Sequence, residues 1–234
     1  MTRSLLLMAA IALHGAEISQ QLVVVTATDF NATMAQMIRY EYNGKRFIKV
    51  GTTANVNLGR HGMGWGRGIM DLKPGASEPC KHEGDGKAPA GVFSLNTVFG
   101  YAVSYPTAMP YLYASDDLIC VDDGNDTRYN RILHTKTLPK SFEWMHRNDG
   151  QYELGIVVNH NTANISGMGS CIFMHVQKAP QAPTAGCTSM AKKTLRQLVR
   201  WLDPAKKPLL IQLPLSHCDE AAAFFKGINC QAAD

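Results

Sequence analysis

The residues of this chain best suited to chemistry are a histidine and a cysteine on either side of a short turn-prone segment. His175 lies in the apolar run Phe173-Met174-His175-Val176, and Cys187 follows the small residues at 182–186. A thiol nucleophile with a nearby base and free backbone N–H groups supplies the parts that acyl transfer needs. The pair therefore predicts a cysteine enzyme in which Cys187 attacks a carbonyl carbon and His175 acts as the base.

Three local features are expected to support that chemistry. Gly186 lets the backbone turn sharply before Cys187, and the N–H groups of both residues are candidates for an oxyanion hole. Ser189 is a reasonable N-cap for a following helix, whose positive end would favour the Cys187 thiolate. In a regular strand Phe173 and His175 share one face, so His175 can face a cleft while the alternate residues pack the core.

Two other interpretations use the same part of the chain. The thiol and the imidazole could be inert, as a cysteine near a helix start and a histidine in a strand often are. Alternatively, a tetrahedral zinc site could be assembled from four residues: Cys171, Cys187, His160 and His175. Neither C-x-x-C nor H-E-x-x-H spacing is present to support zinc, so no metal and no cofactor are expected.

Hydrophobic patterning predicts a mainly β chain with one main helix. Strands are expected at residues 21–28, 33–42, 45–50, 91–98, 118–121, 153–159, 170–176 and 208–213. Asn43-Gly44, between the second and third strands, is a strong hairpin signal. Over residues 191–203 four apolar residues recur at helical spacing on one face: Leu195, Leu198, Val199 and Leu202. Pro204 is expected to end this helix, and a short second helix is expected near 219–225.

The composition is that of an ordinary globular chain, with 45% hydrophobic and 18% charged residues and a formal charge of +4. This mild, unclustered charge argues against a nucleic-acid-binding protein. Residues 1–16 have the pattern of an export signal, in which Arg3 precedes an apolar run too short to span a bilayer. We expect an exported monomer without an integral membrane segment after signal removal, with one domain at 17–214 and a cysteine-bearing tail at 215–234.

Six cysteines in an exported chain indicate disulfides. If one cysteine is a free nucleophile, at least one more is unpaired. The arrangement that we favour contains two disulfides, Cys218–Cys230 and Cys80–Cys120. It leaves Cys171 as a buried thiol, although spacing alone does not decide the connectivity.

The stretch that begins at His175 and ends in Thr184-Ala185-Gly186-Cys187-Thr188-Ser189-Met190 resembles the signature of the L,D-transpeptidase catalytic domain family, also called the YkuD-type family. That signature is a histidine, a gap, Ser/Thr-x-Gly-Cys and usually an arginine two residues further on. Upstream, KHEGDGKAPAGVF at 81–93 looks like the family's D-G-x-T-P-x-G-x-F segment. Three further runs are similar to a less studied branch: GRHGMGWG at 59–66, CVDD at 120–123 and YNRI at 129–132. The resemblance covers about residues 33–214.

This resemblance implies a mainly β fold, an L,D-transpeptidase-like β-sandwich or open barrel with one main helix after the catalytic cysteine. It also implies an enzyme of the periplasm or cell envelope whose partners are peptidoglycan stem peptides. The family's cysteine attacks the carbonyl of the third residue of a stem tetrapeptide and expels the terminal D-alanine, and the thioester then passes to an amine or to water. A transpeptidase is therefore expected, with an L,D-carboxypeptidase or a non-catalytic cell-wall-binding protein as alternatives.

When the family's residue roles are transferred to the matching positions, the resemblance implies that Cys187 is the nucleophile and His175 the base. Gly186 falls on the glycine beside the nucleophile. Thr184 falls on the motif Ser/Thr, where it is expected to shape the loop and contribute to substrate binding.

Two positions depart from the family pattern and imply altered substrate recognition with the Cys–His chemistry intact. Ala185 stands where many members have histidine, and Ser189 stands where they have arginine. Both are expected to contact substrate, and His160 and Trp65 are further candidates for substrate binding. The charged residues of the upstream segment are expected in a solvated loop: Lys81, Glu83 and Asp85.

Overall fold

The chain folds around a closed β-barrel, and the computed structural model describes residues 19–70 and 75–230. The expected export signal lies outside the described residues. The strands of the described part are β1 (Gln21–Ala27), β2 (Met34–Tyr42), β3 (Phe47–Asn57), β4 (Met63–Trp65), β5 (Ala88–Gly100), β6 (Tyr111–Tyr113), β7 (Leu118–Val121), β8 (Ile132–His134), β9 (Phe142–Trp144), β10 (Leu154–Val158), β11 (Phe173–Val176), β12 (Thr188–Met190) and β13 (Leu209–Pro214). The mainly β prediction is confirmed.

Eight of these strands form the barrel in the order β10-β11-β12-β3-β2-β1-β13-β5, and pairing between β10 and β5 closes it. The pairs β1–β13 and β11–β12 are parallel, and the other barrel pairs are antiparallel. β4 and β6 add to β5, the longest strand. Closure leaves the eight strands without a free edge, which removes unpaired backbone groups from the wall that carries the site.

Local sequence explains the best-predicted elements. Asn43-Gly44 lies between β2 and β3, and Gly44 adopts a φ of +88°, a backbone conformation that glycine tolerates well. All seven residues of β1 are buried, as a largely apolar run in a barrel wall predicts.

The main helix, α1 (Lys192–Trp201), follows β12 and buries Leu195, Leu198 and Val199, the face that the 3.6-residue period predicted. Its N-cap is Ala191, without a side-chain cap. The prediction that Ser189 caps this helix is wrong, because Ser189 pairs with Asn57 and His175 inside the barrel wall. Barrel pairing therefore places a strand between the cysteine and the helix.

A second, three-stranded sheet of order β8-β7-β9 stands beside the barrel. An apolar cluster lies beneath it and includes Phe99, Met145, Tyr152 and Phe173. The alternate residues Ile172 and Met174 belong to the barrel core instead. The predicted alternation of faces in β11 is therefore confirmed, and it directs Phe173 and His175 away from the barrel interior.

The cysteine pairing is partly as expected. Cys218–Cys230 is present, but the second disulfide joins Cys120 to Cys171, and Cys80 is a free, exposed cysteine. The expectation of a Cys80–Cys120 disulfide is wrong, because β7 lies against the segment that leads into β11. The Cys120–Cys171 bond ties the small sheet to the barrel.

The residues after the barrel continue as a short 3₁₀ turn (Leu215–His217) and a helix, α2 (Cys218–Phe224), near the predicted position. Tyr40 donates a hydrogen bond to the carbonyl of Asn229 at 2.6 Å, and the Phe47 N–H donates to Lys226 O at 2.8 Å. The tail is thus fastened to β2 and β3. Within the described ranges, neither helix has the length and apolar character that crossing a membrane requires.

Candidate functional site

A cleft of about 340 Å³ lies between the barrel wall, the loop at 182–187 and the small sheet, and both Cys187 and His175 line it. Four of the other predicted site residues line the same cleft: Thr184, Ala185, Gly186 and Ser189. Its charged lining residues are Arg60, Lys81, Arg147 and Lys178, which are cationic, and Glu83, Asp122 and Glu143, which are acidic.

The loop before the nucleophile is held by its own hydrogen bonds and by the Leu58–Arg60 segment. The Thr184 N–H donates to Leu58 O, and the Arg60 N–H donates to Thr184 O, each at 2.8 Å. The Thr184 hydroxyl donates to Cys187 O at 2.6 Å and accepts from the Gly186 N–H at 3.1 Å. Thr184 therefore shapes the turn from which the cysteine projects.

Gly186 occupies a position that disfavours other residues. Its φ is +153°, and a Cβ built on it would lie 3.1 Å from Lys87 O. Its N–H is already bonded to the Thr184 hydroxyl, so the expectation that it serves in an oxyanion hole needs correction. The Cys187 N–H has no partner within the described residues and stays available for that role.

His175 is held in the tautomer that a general base requires. Its Nδ1 lies 2.9 Å from Val176 O, and a carbonyl only accepts, so Nδ1 carries the proton and Nε2 carries the lone pair. The side chain is 4% exposed, and its ring packs edge-on against Tyr152 at 5.3 Å. Burial lowers the pKa of His175 to about 4, and the nearby Arg147 charge acts in the same direction. The imidazole is therefore neutral at physiological pH.

Cys187 is a buried thiol, 8% exposed. Its Sγ donates to Cys171 O at 3.6 Å and accepts from the Phe173 N–H at 3.3 Å. Burial raises its pKa to about 12, and the charge of Glu143 adds to that rise. Since β12 separates Cys187 from α1, the helix dipole, which acts within the first turn, gives little help. The resting pair is neutral thiol and neutral imidazole.

A partly buried polar network joins two motifs that lie far apart in the chain. Glu83 accepts hydrogen bonds from the hydroxyls of Tyr129 and Ser170. The Asn130 side chain accepts from the Cys171 N–H at 3.0 Å and so holds the segment that enters β11. The segment at 81–85 is therefore part of the cleft wall. Its expected place in a solvated loop is wrong for Lys81, which is 5% exposed.

The small sheet and the segments next to it contribute a second group of polar residues that motif spacing did not reveal. The Tyr152 hydroxyl donates to Glu143 on β9 at 2.5 Å, and burial is the main cause that raises the pKa of Glu143. Arg147 lies over the Tyr152 ring at 4.9 Å and pairs with Asp149 at 2.5 Å. Asp122, which lines the cleft, has a buried Oδ1 without a hydrogen-bond partner in the described part of the chain.

Two expected substrate contacts lie elsewhere. His160 is 2% exposed, and both ring nitrogens are occupied: Nδ1 accepts from the Arg67 N–H and Nε2 donates to Met168 O. Trp65 is 5% exposed and donates to Glu78 at 2.7 Å. Neither is among the residues that line the cleft. Both act as structural anchors because their polar atoms are already bonded.

Two of the four residues considered as zinc ligands are not available in the structure. Cys171 forms a disulfide with Cys120, and both ring nitrogens of His160 form hydrogen bonds. Only Cys187 and His175 remain from the proposed set of four, fewer than a tetrahedral protein site uses.

The sequence matches no protein-family model and none of the curated proteins. Among solved structures, the chain is similar to the helical cell shape determining protein Pgp2 from Campylobacter jejuni, with 14% identity and a TM-score of 0.41. The match covers 84% of this chain and 48% of that one, so the chain spans about half the length of that protein.

Proposed function

We propose that this protein is an exported cysteine acyltransferase of the L,D-transpeptidase type, which acts on peptidoglycan stem tetrapeptides through a thioester at Cys187. The observation that carries the proposal is a free cysteine in one cleft with a histidine whose Nδ1 is fixed as the donor. The peptidoglycan substrate is proposed on the resemblance of the 81–93 and 175–190 segments to that family.

In the proposed reaction, His175 Nε2 takes the thiol proton as sulfur attacks the carbonyl carbon of the third stem residue. The carbonyl π electrons move to oxygen, where the Cys187 N–H can donate to the developing charge. Collapse restores the carbonyl, breaks the peptide bond and expels D-alanine, whose amine receives the proton from His175. An amine or water then attacks the thioester in the same sequence of steps.

The charges of the cleft suit a peptide that carries both carboxylates and amines. Arg147 and Lys178 can attract substrate carboxylates, while the carboxylate of Asp122, which also lines the cleft, can accept from an ammonium or amide group. Ser189, which replaces the usual arginine, is 1% exposed and accepts a hydrogen bond from Asn57 at 3.3 Å. Carboxylate recognition would therefore fall to other residues of the cleft in this chain.

The test is mass spectrometry of a purified disaccharide-tetrapeptide incubated with the protein and with Cys187→Ala. We expect Cys187-dependent loss of one D-alanine, with new dimers for a transpeptidase and bare tripeptide for a carboxypeptidase. Cys187→Ala should be inactive, because the nucleophile is absent. Its melting temperature should stay within a few degrees of the parent value, because only one buried sulfur atom is removed. Turnover retained in that variant would overturn the mechanism.

A non-catalytic cell-wall-binding protein is the second candidate, and the burial of Cys187 favours it. A thiol with a pKa near 12 is poorly suited to attack unless a base removes its proton. If the tetrapeptide is bound but unchanged by both proteins, and if Cys187→Ala binds as tightly as the parent, this candidate replaces the enzyme.

A further inference from the structure

The strongest unexplained feature of the cleft is the buried ammonium of Lys81. Its side chain is 4% exposed, and Nζ donates to Asp85 Oδ1 at 2.6 Å and to His82 O at 2.7 Å. An ammonium has three N–H donors, so one is left over after these two bonds. A lysine is almost never buried this far unless its charge is paired or used.

The path of the Lys81 side chain leads toward the nucleophile. It passes Gly169, where a built Cβ would lie 3.2 Å from Lys81 Cε. At its end, Nζ lies 3.8 Å from the place that a Cβ of Gly186 would occupy. The absence of a side chain at Gly169 leaves room for the Lys81 chain, and its ammonium ends beside the loop that carries Cys187.

The charges around Cys187 make this placement important. Glu143 and the Tyr152 hydroxyl are close enough to interact with the thiol, and the negative charge of Glu143 disfavours a thiolate. Lys81 acts in the opposite direction and lowers the pKa of Cys187. The Phe173 N–H, which donates to Sγ at 3.3 Å, and the Tyr152 hydroxyl also lower the pKa of Cys187, but neither group carries a charge. The N–H of Gly186 is bonded to Thr184.

We propose that Lys81 stabilises the negative charge that develops at Cys187 and on the attacked carbonyl oxygen, a role that the N–H of Gly186 cannot perform. Lys81 keeps all its protons throughout: His175 removes the thiol proton, and the carbonyl π electrons become the oxyanion beside the ammonium. Asp85 holds Lys81 in place. The part that concerns the carbonyl oxygen rests on the proposed function, whereas the part that concerns the thiol does not.

Alkylation of Cys187 by iodoacetamide, followed by intact mass between pH 7 and pH 10, tests this role without any substrate. A Cys80→Ser background removes the exposed thiol. Lys81→Met should slow alkylation at each pH by roughly tenfold, as expected when one opposite charge is lost near a thiol. Lys81→Arg, which keeps the charge, should stay closer to the parent rate.

Two further variants distinguish an effect of the Lys81 charge from an effect of Lys81 on the structure of its loop. Asp85→Asn keeps an oxygen that can accept from the Lys81 ammonium but removes the negative charge that neutralises it, so alkylation should become faster. Lys192→Met removes an exposed lysine of α1 that forms an ion pair of 2.7 Å with Glu153. This control variant should leave the alkylation rate unchanged. If Lys81 only anchors its loop, Lys81→Met should loosen the site and speed alkylation, as Asp85→Asn does. That result would overturn the proposal, and so would an unchanged rate.

If the parent protein turns over stem peptides, its steady-state kinetics provide a second measurement. Lys81→Met should lower kcat by roughly 100- to 1,000-fold, the cost of losing one oxyanion partner, with a smaller change in KM. If no stem peptide is turned over by the parent protein, the proposed function fails. The alkylation rates then decide the role of Lys81 by themselves.

Discussion

At the scale of single residues, burial decides the protonation states on which the proposed reaction depends. Cys187 has a raised pKa and His175 a lowered one, so the ion pair common in cysteine enzymes is not the resting state here. Attack must therefore be coupled to proton transfer, and the fixed Nδ1 donor of His175 prepares Nε2 for that step. A substrate that fills the cleft would strengthen these interactions further by excluding water.

The pH dependence of turnover should report the lowered pKa of His175. A base is competent when neutral, and a pKa of about 4 keeps His175 neutral well below the pH at which an ordinary histidine is protonated. We expect kcat/KM to hold from pH 7 down to about 5 and to fall near pH 4. His175→Ala should lower the rate by roughly 100- to 10,000-fold. A loss of activity centred near pH 6.5 would contradict the buried, neutral imidazole.

At the scale of elements, the tail after β13 is part of the fold rather than an appendage. His217, in the turn before α2, lies 2.6 Å from Glu78 and 3.0 Å from Glu220 through its two ring nitrogens. A histidine between two carboxylates is doubly protonated. Burial alone would lower the pKa of His217, but the hydrogen bonds and charges of Glu78 and Glu220 outweigh it and raise the pKa.

The raised pKa predicts that His217 stabilises the protein on the acidic side. Its folded pKa exceeds its unfolded value, so its contribution is complete below about pH 6.5 and is lost as pH rises through the folded value. Melting temperatures measured from pH 5 to pH 9 should show His217→Asn less stable than the parent at pH 5, with a difference that shrinks toward pH 9. Glu220→Gln, which removes one carboxylate, should reduce that dependence. A difference that grows with pH would refute the assignment.

At the scale of the whole molecule, one disulfide connects the two sheets at the site. Cys120 belongs to β7 in the small sheet, while Cys171 precedes β11 in the barrel and offers its carbonyl to the Cys187 thiol. The small sheet also supplies Glu143 and the residues that follow β7. The cleft therefore exists only while the two sheets are held together.

Removal of this disulfide should cost more stability than removal of the other one. The Cys120–Cys171 bond closes a loop with a sequence separation of 51 and the Cys218–Cys230 bond one of 12. Chain entropy then predicts losses of about 4 and about 3 kcal/mol for the paired Cys→Ser variants. Urea unfolding measures both values. The first variant should also lose turnover, and the second should keep most of it; the reverse order would contradict this arrangement.

Several features followed from the sequence because they depend on neighbours in the chain. The β2–β3 hairpin follows from Asn43-Gly44, and the buried face of α1 follows from a period of 3.6 residues. The alternation in β11 directed His175 away from the barrel core, and the spacing of Cys187 placed it behind a glycine turn. Each of these is a local property, since turn chemistry and side-chain direction are set within a few residues.

Tertiary structure alone decided which distant residues meet. Barrel pairing turned the segment 188–190 into a strand, and this moved the helix start away from Cys187. The packing of the small sheet against the barrel brings Cys120 to Cys171 and places Glu143 and Tyr152 at the cleft. Burial then gave the thiol and the imidazole their protonation states and enclosed the ammonium of Lys81. These outcomes depend on solvent exclusion and long-range contacts, which a residue's neighbours in the sequence do not specify.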